Sequence, residues 1–563
     1  MVVVLCLTVG LGAVPGLAHA LNLEQARRDG ALVAEALDAG ATGDWERAEA
    51  IAARSSDLVV RDIVLWRKLR AGAGTVEEYQ SFVARRGTWP GQAPLAEAVL
   101  GFRPASPNYT PRPELSGTAL RNWREFRKIW RSRDYEEAEK YLVKVSTSAA
   151  ALGDPGRWAD RRARLARRAA REGRARRAYR LATRSFTSAR DGYNHADLQW
   201  IAGWVSLRKL RDAKTALRHF ETFETLVETP ISLGRAGYWV GRAHEAMGQT
   251  AEAHAAYARA SVHQTSFYGQ LAAAKIGAQG NAGLTRASLP DWRTTPETRT
   301  DVVRMAAIIH YAGQDRLAWE SFSHLGRTIE GETGLGALAG LALDLGQEHL
   351  AVRVSKNAVR RGVLLPASYY PVTELSDYVT KVEPALAMSL ARQETELNPR
   401  AVSRAGARGL MQLMPGTARK VAEWIGEPYE KARLTADWRY NARLGQTYLA
   451  RRIRQFDGSY VMAAAAYNAG ASRVDNWLLD YGNPLRGDVD IIDWMEMIPF
   501  SETRNYVQRV MEGLYVYRAR LTGEAGPMTI ESDLARGMLR PRPAPRGDAV
   551  PSFSGADGTQ SPG

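Results

Sequence analysis

Cysteine is almost absent from this chain of 563 residues, and the single one, Cys6, lies in an apolar stretch from Val2 to Leu17. That stretch runs into Ala18-His19-Ala20, an A-x-A-like cleavage site, so residues 1–20 read as an export signal. Its first residues carry no Lys or Arg, which is atypical, and Leu5 before Cys6 does not suit a lipoprotein signal. A mature chain without cysteine excludes disulfides and thiol catalysis together. No later run approaches the roughly 18 apolar residues that a membrane-spanning helix needs. The nine histidines include no His-x-x-x-His pair, so neither a metal site nor a metal cofactor is expected. Sustained strand-type alternation is missing too, which leaves an all-α chain.

What the chain does have is length and an approximate repeat. At this size several domains are expected. Between the signal and about residue 360, a Gly or Arg precedes a few polar residues and a packing alanine. Examples are Gly43 to Ala48, Arg133 to Ala138, Gly173 to Ala178, Arg211 to Ala216, Gly248 to Ala253, Gly313 to Ala318 and Gly346 to Ala351. Several intervals fall between 33 and 40 residues, the spacing of stacked helical hairpins. The expected division is an α-superhelical repeat domain at 21–285, a smaller helical linker domain at 286–366, a third domain at 367–525 and a disordered tail at 526–563. Gly, Ala, Thr and Pro crowd 277–300, and Pro, Gly, Ser and Arg without periodicity fill the tail.

Chemistry concentrates in the third domain. From Pro384, Leu386, Ala387, Leu390 and Ala391 recur at helical spacing, and Glu394 continues that apolar stripe. Asn398 and Pro399 stop the helix, which puts Glu394 in its last turn, near the negative end of the helix dipole. Burial and the dipole both oppose ionisation, so this carboxyl should keep a proton near neutral pH, as a general acid must. The loop that follows holds Gly406 and Gly409, which let backbone approach a ligand, the hydrogen-bonding groups of Ser403 and Gln412, and the soft apolar Met414. Pro415-Gly416-Thr417 can then open another helix.

This string resembles the signature of the soluble lytic transglycosylases, whose catalytic domain is similar to goose-type lysozyme. Glu394-Thr395-Glu396-Leu397-Asn398-Pro399 stands for the family's Glu-Ser-x-Phe-Asn-Pro, with Thr395 and Leu397 as departures, and Gly406 to Pro415 follows its Gly-Ala-x-Gly-Leu-Met-Gln-x-Met-Pro. Ala466-Tyr467-Asn468-Ala469-Gly470 and the run from Ile498 to Val507 resemble two later motifs, in the family's order. The resemblance implies a long helical domain, with Ser266-Phe267-Tyr268-Gly269 near its end, before a lysozyme-like one. It makes Glu394 the sole acid/base, with Ser403, Gln412 and Met414 lining sugar subsites. Tyr467 would bond to Glu394 or to substrate, Asn468 would hold that segment, and Glu502 and Tyr506 would complete the cleft wall. It further implies a periplasmic enzyme on peptidoglycan glycan strands, with no cofactor and no nucleic-acid partner, acting as a monomer, with other wall enzymes as possible partners.

Ordinary glycosidases flank the bond with two carboxyl groups. A second one is hard to find here. Glu396 is two residues from Glu394 and projects to another face, Glu423 sits in the next helix without a signature, and the resemblance makes Glu502 structural or substrate-binding. One carboxylate suits a substrate that supplies its own nucleophile. In the family this carboxyl protonates the oxygen between N-acetylmuramic acid and N-acetylglucosamine, then draws a proton from the muramoyl 6-hydroxyl to close a 1,6-anhydro ring. Two alternatives stay open: a hydrolytic muramidase on the same fold, and a non-catalytic glycan-binding scaffold.

The formal net charge is +15, and residues 157–190 alone hold 13 arginines against Asp160 and Glu172. A nucleic-acid binder would show such a patch. Ala163, Ala166 and Ala170 keep a packing stripe between the arginines, however, which favours a solvated outer face of a repeat helix. The same face could attract an acidic wall polymer. Tryptophans such as Trp200, Trp204 and Trp239 are expected to pack the repeats rather than to stack on sugars.

Overall fold

The computed structural model describes residues 21–92, 95, 97, 114–378 and 380–538; the expected signal at 1–20, with Cys6, and the tail from 539 lie outside them. Among the described residues there is no strand, only two isolated bridges, Val402 with Arg408 and Arg408 with Leu413. The all-α expectation holds. No helix among the described residues is long and apolar enough to cross a membrane.

The hexads fall where the repeat places them. Their first residues, Gly43, Arg133, Gly173, Arg211, Gly248, Gly313 and Gly346, all have left-handed φ between 59° and 88°. Each reverses the chain between two helices, a conformation for which glycine has no Cβ penalty. The alanines that end the hexads, from Ala48 to Ala351, are all buried, so paired helices approach closely there. Trp200, Trp204 and Trp239 are also buried, with ring centroids about 6 Å apart, and serve as packing.

The division of cores differs from the expected domain boundaries. Helices within 23–95 share one hydrophobic core with residues 292–365, and Leu23–Ala41 packs on Asp301–Tyr311. A Cβ on Gly30 would lie 2.5 Å from the Cβ of Tyr311. The first repeats and the expected linker domain are therefore one packing unit, and the superhelix returns on itself. Residues 115–284 share their core with the third domain instead. Apolar periodicity marks which face is buried but does not say against what.

In the third domain, Pro384–Thr395 lies along the long helix Ser501–Thr522. The contact is close: Ser389 Oγ donates to the Val510 carbonyl at 2.7 Å, and a Cβ on Gly513 would lie 2.2 Å from Ser389 Oγ. The alanine run 463–466 is fully buried in Tyr460–Ala469, which packs on Trp438–Gln455 and on the long helix. The first residues of the expected tail, 526–538, are ordered. Ile530–Leu534 is helical with both ends buried, and Arg518 bridges Asp533 and Glu383, so apolar anchors and a shared cation order 526–538.

Candidate active site

Glu394 occupies the last turn of its helix, which ends at Glu396 in a left-handed conformation. Its Oε1 accepts a hydrogen bond of 2.7 Å from the Tyr506 hydroxyl, donated from the long helix. Burial pushes the Glu394 carboxyl up to about 7; the Tyr506 bond opposes that shift, and the Glu502 charge adds to it. The carboxyl can therefore keep its proton near neutrality. Burial, with the Glu394 charge next, holds Tyr506 and Tyr467 well above the ordinary tyrosine range, so both remain hydroxyl donors.

Of the two partners expected for Tyr467, Glu394 or substrate, Glu394 is not the one it bonds. Its hydroxyl donates to the Met411 carbonyl at 2.8 Å rather than to Glu394, because that carbonyl would otherwise be buried without a partner. Its ring meets Tyr448 edge-on, 5.3 Å away. Asn468 Oδ1 accepts from Thr503 Oγ1 at 2.6 Å, which ties the second motif to the third. Glu502 is exposed in the first turn of the long helix.

The loop residues bond chiefly to their own loop. Ser403 Oγ accepts from the Ala407 amide at 3.0 Å, and Gln412 Nε2 donates to the carbonyls of Ala401 and Gly409 at 3.2 and 3.0 Å. Met414 is 45% exposed where the next helix begins. Gly406 is open, with nothing near a would-be Cβ, whereas Gly409 approaches protein and not an open cleft: its Cβ would lie 1.9 Å from the Leu434 carbonyl oxygen.

Sequence reasoning missed the residue that holds this loop. Buried Asn441 accepts from the Met411 amide at 2.8 Å and donates to the carbonyls of Arg408 and Leu434 at 2.9 and 3.1 Å. A polar side chain on the buried face of Trp438–Gln455, like Glu394 on its own, was the available signal. Thr395 also joins helix to loop, donating to the Leu410 carbonyl at 2.9 Å. Glu396 turns away from Glu394, as expected, to pair with Arg353 and Lys356.

The Glu394 carboxyl and the loop fixed by Asn441 lie in a segment that matches a known family. Residues 376–486 match the family model of the transglycosylase SLT domain. The chain carries an SLT domain, as the resemblance had it. That match spans the Glu394 string and the Tyr467 motif. A second, to the soluble lytic transglycosylase helical domain, covers residues 497–525 and hence the third motif and the long helix.

The chain is 40% identical over 139 residues to the soluble lytic murein transglycosylase of Escherichia coli strain K12, covering 24% of this chain and 21% of that protein. A putative soluble lytic murein transglycosylase of Haemophilus influenzae is 34% identical over 172 residues, 31% of this chain and 28% of that one. The chain thus aligns with under a third of these relatives' length. The fold likeness reaches further. The 70 kDa soluble lytic transglycosylase of Escherichia coli superposes with a TM-score of 0.55 at 20% identity, covering 92% of this chain and all of that one. An inactive mutant of the lytic transglycosylase Slt from Pseudomonas aeruginosa gives 0.53 at 22% identity, covering 87% and 81%.

Proposed function

We propose that this protein is an exported lytic transglycosylase that cleaves the bond between N-acetylmuramic acid and N-acetylglucosamine in peptidoglycan strands. Glu394 serves first as acid and then as base. The observation that carries the reading is the Glu394 carboxyl itself, partly accessible, bonded to Tyr506 and held at about 7 with no cation among the causes of its shift. Such a group can give a proton to the leaving oxygen. Once ionised, it can take one from the muramoyl 6-hydroxyl.

The loop from Ser403 to Met414, with Tyr467, Asn468, Glu502 and Tyr506, would hold the sugars and orient the carboxyl. The names of the relatives support murein as the substrate class, and they also support the cell wall as the location. No cofactor takes part in this scheme. A hydrolytic variant of the reaction is favoured by one observation, since Glu502 lies near enough to act on Glu394 and could serve as base for a water.

Mass spectrometry of products from purified sacculi separates these readings. Muropeptides ending in anhydro-muramic acid, lighter by one water than reducing ends, are expected from the wild type. Glu394→Gln should yield none while remaining folded. Reducing ends alone would support the hydrolase, and an active Glu394→Gln protein would overturn the mechanism.

A further inference from the structure

The helix that carries Glu394 ends in an uncommon way. Glu396 and Leu397 follow it with φ of 58° and 70°, two successive left-handed residues of which neither is glycine. Such a backbone persists only where surrounding contacts impose it. Leu397 is buried, which supplies one of those contacts. The Glu396 side chain supplies the other: it is 15% exposed and lies against the helix Glu348–Val359. Its Oε1 is 2.9 Å from the Arg353 guanidinium and accepts a hydrogen bond of 2.7 Å from Lys356 Nζ.

Leu350, Ala351, Val354 and Ala358 set the helix Glu348–Val359 in the core shared by residues 23–95 and 292–365. Leu386, Leu390 and Ala391 of the Glu394 helix lie in the other core. Glu396 is thus a charged contact between two packing units, made two residues from the proposed acid. Arg392 and Arg400 reach in the same direction, Arg392 donating to the Tyr369 carbonyl at 2.6 Å and Arg400 lying 3.6 Å from Asp315. The Arg400 pair is exposed and contributes little. At Glu396 two cations converge on one oxygen in a half-buried site, where burial lowers the Lys356 ammonium from its ordinary value and the Glu396 charge opposes that shift. The other charged or titratable groups near this pair are Arg392, which acts on Lys356, and His349, on which Glu396 acts.

We propose that Glu396 is a positioning residue: through Arg353 and Lys356, the packing unit of residues 23–95 and 292–365 holds the end of the Glu394 helix and keeps Glu394 under the Tyr506 hydroxyl. The assignment rests on the proposed role of Glu394. Three consecutive residues then have three separate supports. Glu394 is bonded to the long helix, Thr395 to the Leu410 carbonyl of the loop, and Glu396 to the helix Glu348–Val359. Without the third, the left-handed turn loses a contact that imposes it, and the last turn opens to water.

Two variants release this support from opposite sides. Glu396→Gly removes the carboxylate and suits a left-handed backbone, so the fold is kept. Arg353→Met with Lys356→Met removes both cations and leaves segment 394–400 intact. Each is made with and without Glu394→Gln, and Tm is read at pH 5 and pH 8. Burial raises Glu394 from 4.5 to about 7, with Tyr506, Glu502 and Tyr467 as the titratable groups around it. Its stabilisation is therefore complete below about 4.5 and lost as pH rises through about 7, so Glu394→Gln gains Tm over the parent between pH 5 and pH 8. A carboxyl opened to water titrates nearer 4.5, and that gain should shrink by about half or more in both variants. Release of soluble fragments from sacculi should fall about tenfold in kcat with KM little changed, because the sugar contacts remain. A gain absent from the wild type or undiminished in either variant, or an activity loss confined to KM, would overturn the assignment. If the gain shrinks as expected but wild-type protein releases nothing, the support of Glu394 stands and the cleavage reading falls.

Discussion

Protonation of Glu394 links the structure to the proposed reaction at the scale of single residues. The first step needs the proton, so activity should fall as pH rises through about 7. The Tyr506 bond lowers the Glu394 value and the Glu502 charge raises it. Tyr506→Phe should therefore move the alkaline limb of the kcat/KM profile upward, and Glu502→Gln should move it downward; shifts in the same direction would contradict the assignment. Stability carries the same signature. Because the folded carboxyl holds its proton more tightly than the ordinary 4.5, the resulting stabilisation is complete below about 4.5 and is lost as pH rises through about 7. Glu394→Gln has no proton to lose, so its Tm should exceed that of the wild type at pH 8 by more than at pH 5. A gap that does not change with pH would show that the carboxyl is not held as described. The burial of Glu394 was legible as a charged residue on an apolar stripe, and Tyr506 was named as part of the cleft wall. The Tyr467 bond was not legible, because the acceptor is a backbone carbonyl 56 residues away in sequence, and no side-chain motif reports it.

Among the elements, the loop from 401 to 414 is tied to its surroundings through Asn441 and Thr395 and to itself through Ser403 and Gln412. Gly409 combines a φ of 76° with backbone and Asn441 atoms where a Cβ would stand, whereas Gly406 has φ 89° and open space. Gly409→Ala should destabilise the protein by several kcal/mol, or displace the loop and abolish activity, while Gly406→Ala costs only about 1 kcal/mol of backbone strain. Thermal melts of the two variants check this ordering, and equal losses would contradict it. Both glycines look alike in sequence, since spacing reveals a permissive backbone but not which atoms crowd it. Repeat hexads were easier to read. Their turn residue and their packing alanine are local features, and in all seven examples the first residue has a left-handed φ and the alanine is buried.

Contacts between distant parts of the chain decide the behaviour of the whole molecule, and those were least legible. Nothing local says that Leu23–Ala41 meets Asp301–Tyr311, or that the arginine-rich helix Pro155–Arg171 turns toward segment 499–504 rather than wholly to solvent. Its alanine stripe was read correctly as buried; the second, charged interface was missed because arginine on a helix ordinarily marks a wet face. Glu496 joins the superhelix to the SLT domain, accepting from Tyr268 at 2.6 Å and Gln508 at 3.0 Å besides pairing with Arg167, Arg235 and Arg504, and burial notwithstanding it is held ionised at about 2, chiefly by Arg235. Glu496→Gln leaves buried arginines without a counter-charge and should cost about 3–5 kcal/mol, separating the melting of superhelix and SLT domain in calorimetry. A single unshifted transition would show that this cluster does not couple them.

The claim that Glu394 performs both proton transfers, with no water entering the product, is tested most directly by digestion of sacculi in oxygen-18 water. New muramoyl ends should carry no label, since the 6-hydroxyl oxygen closes the ring. One labelled oxygen at each new end would identify hydrolysis and contradict the mechanism.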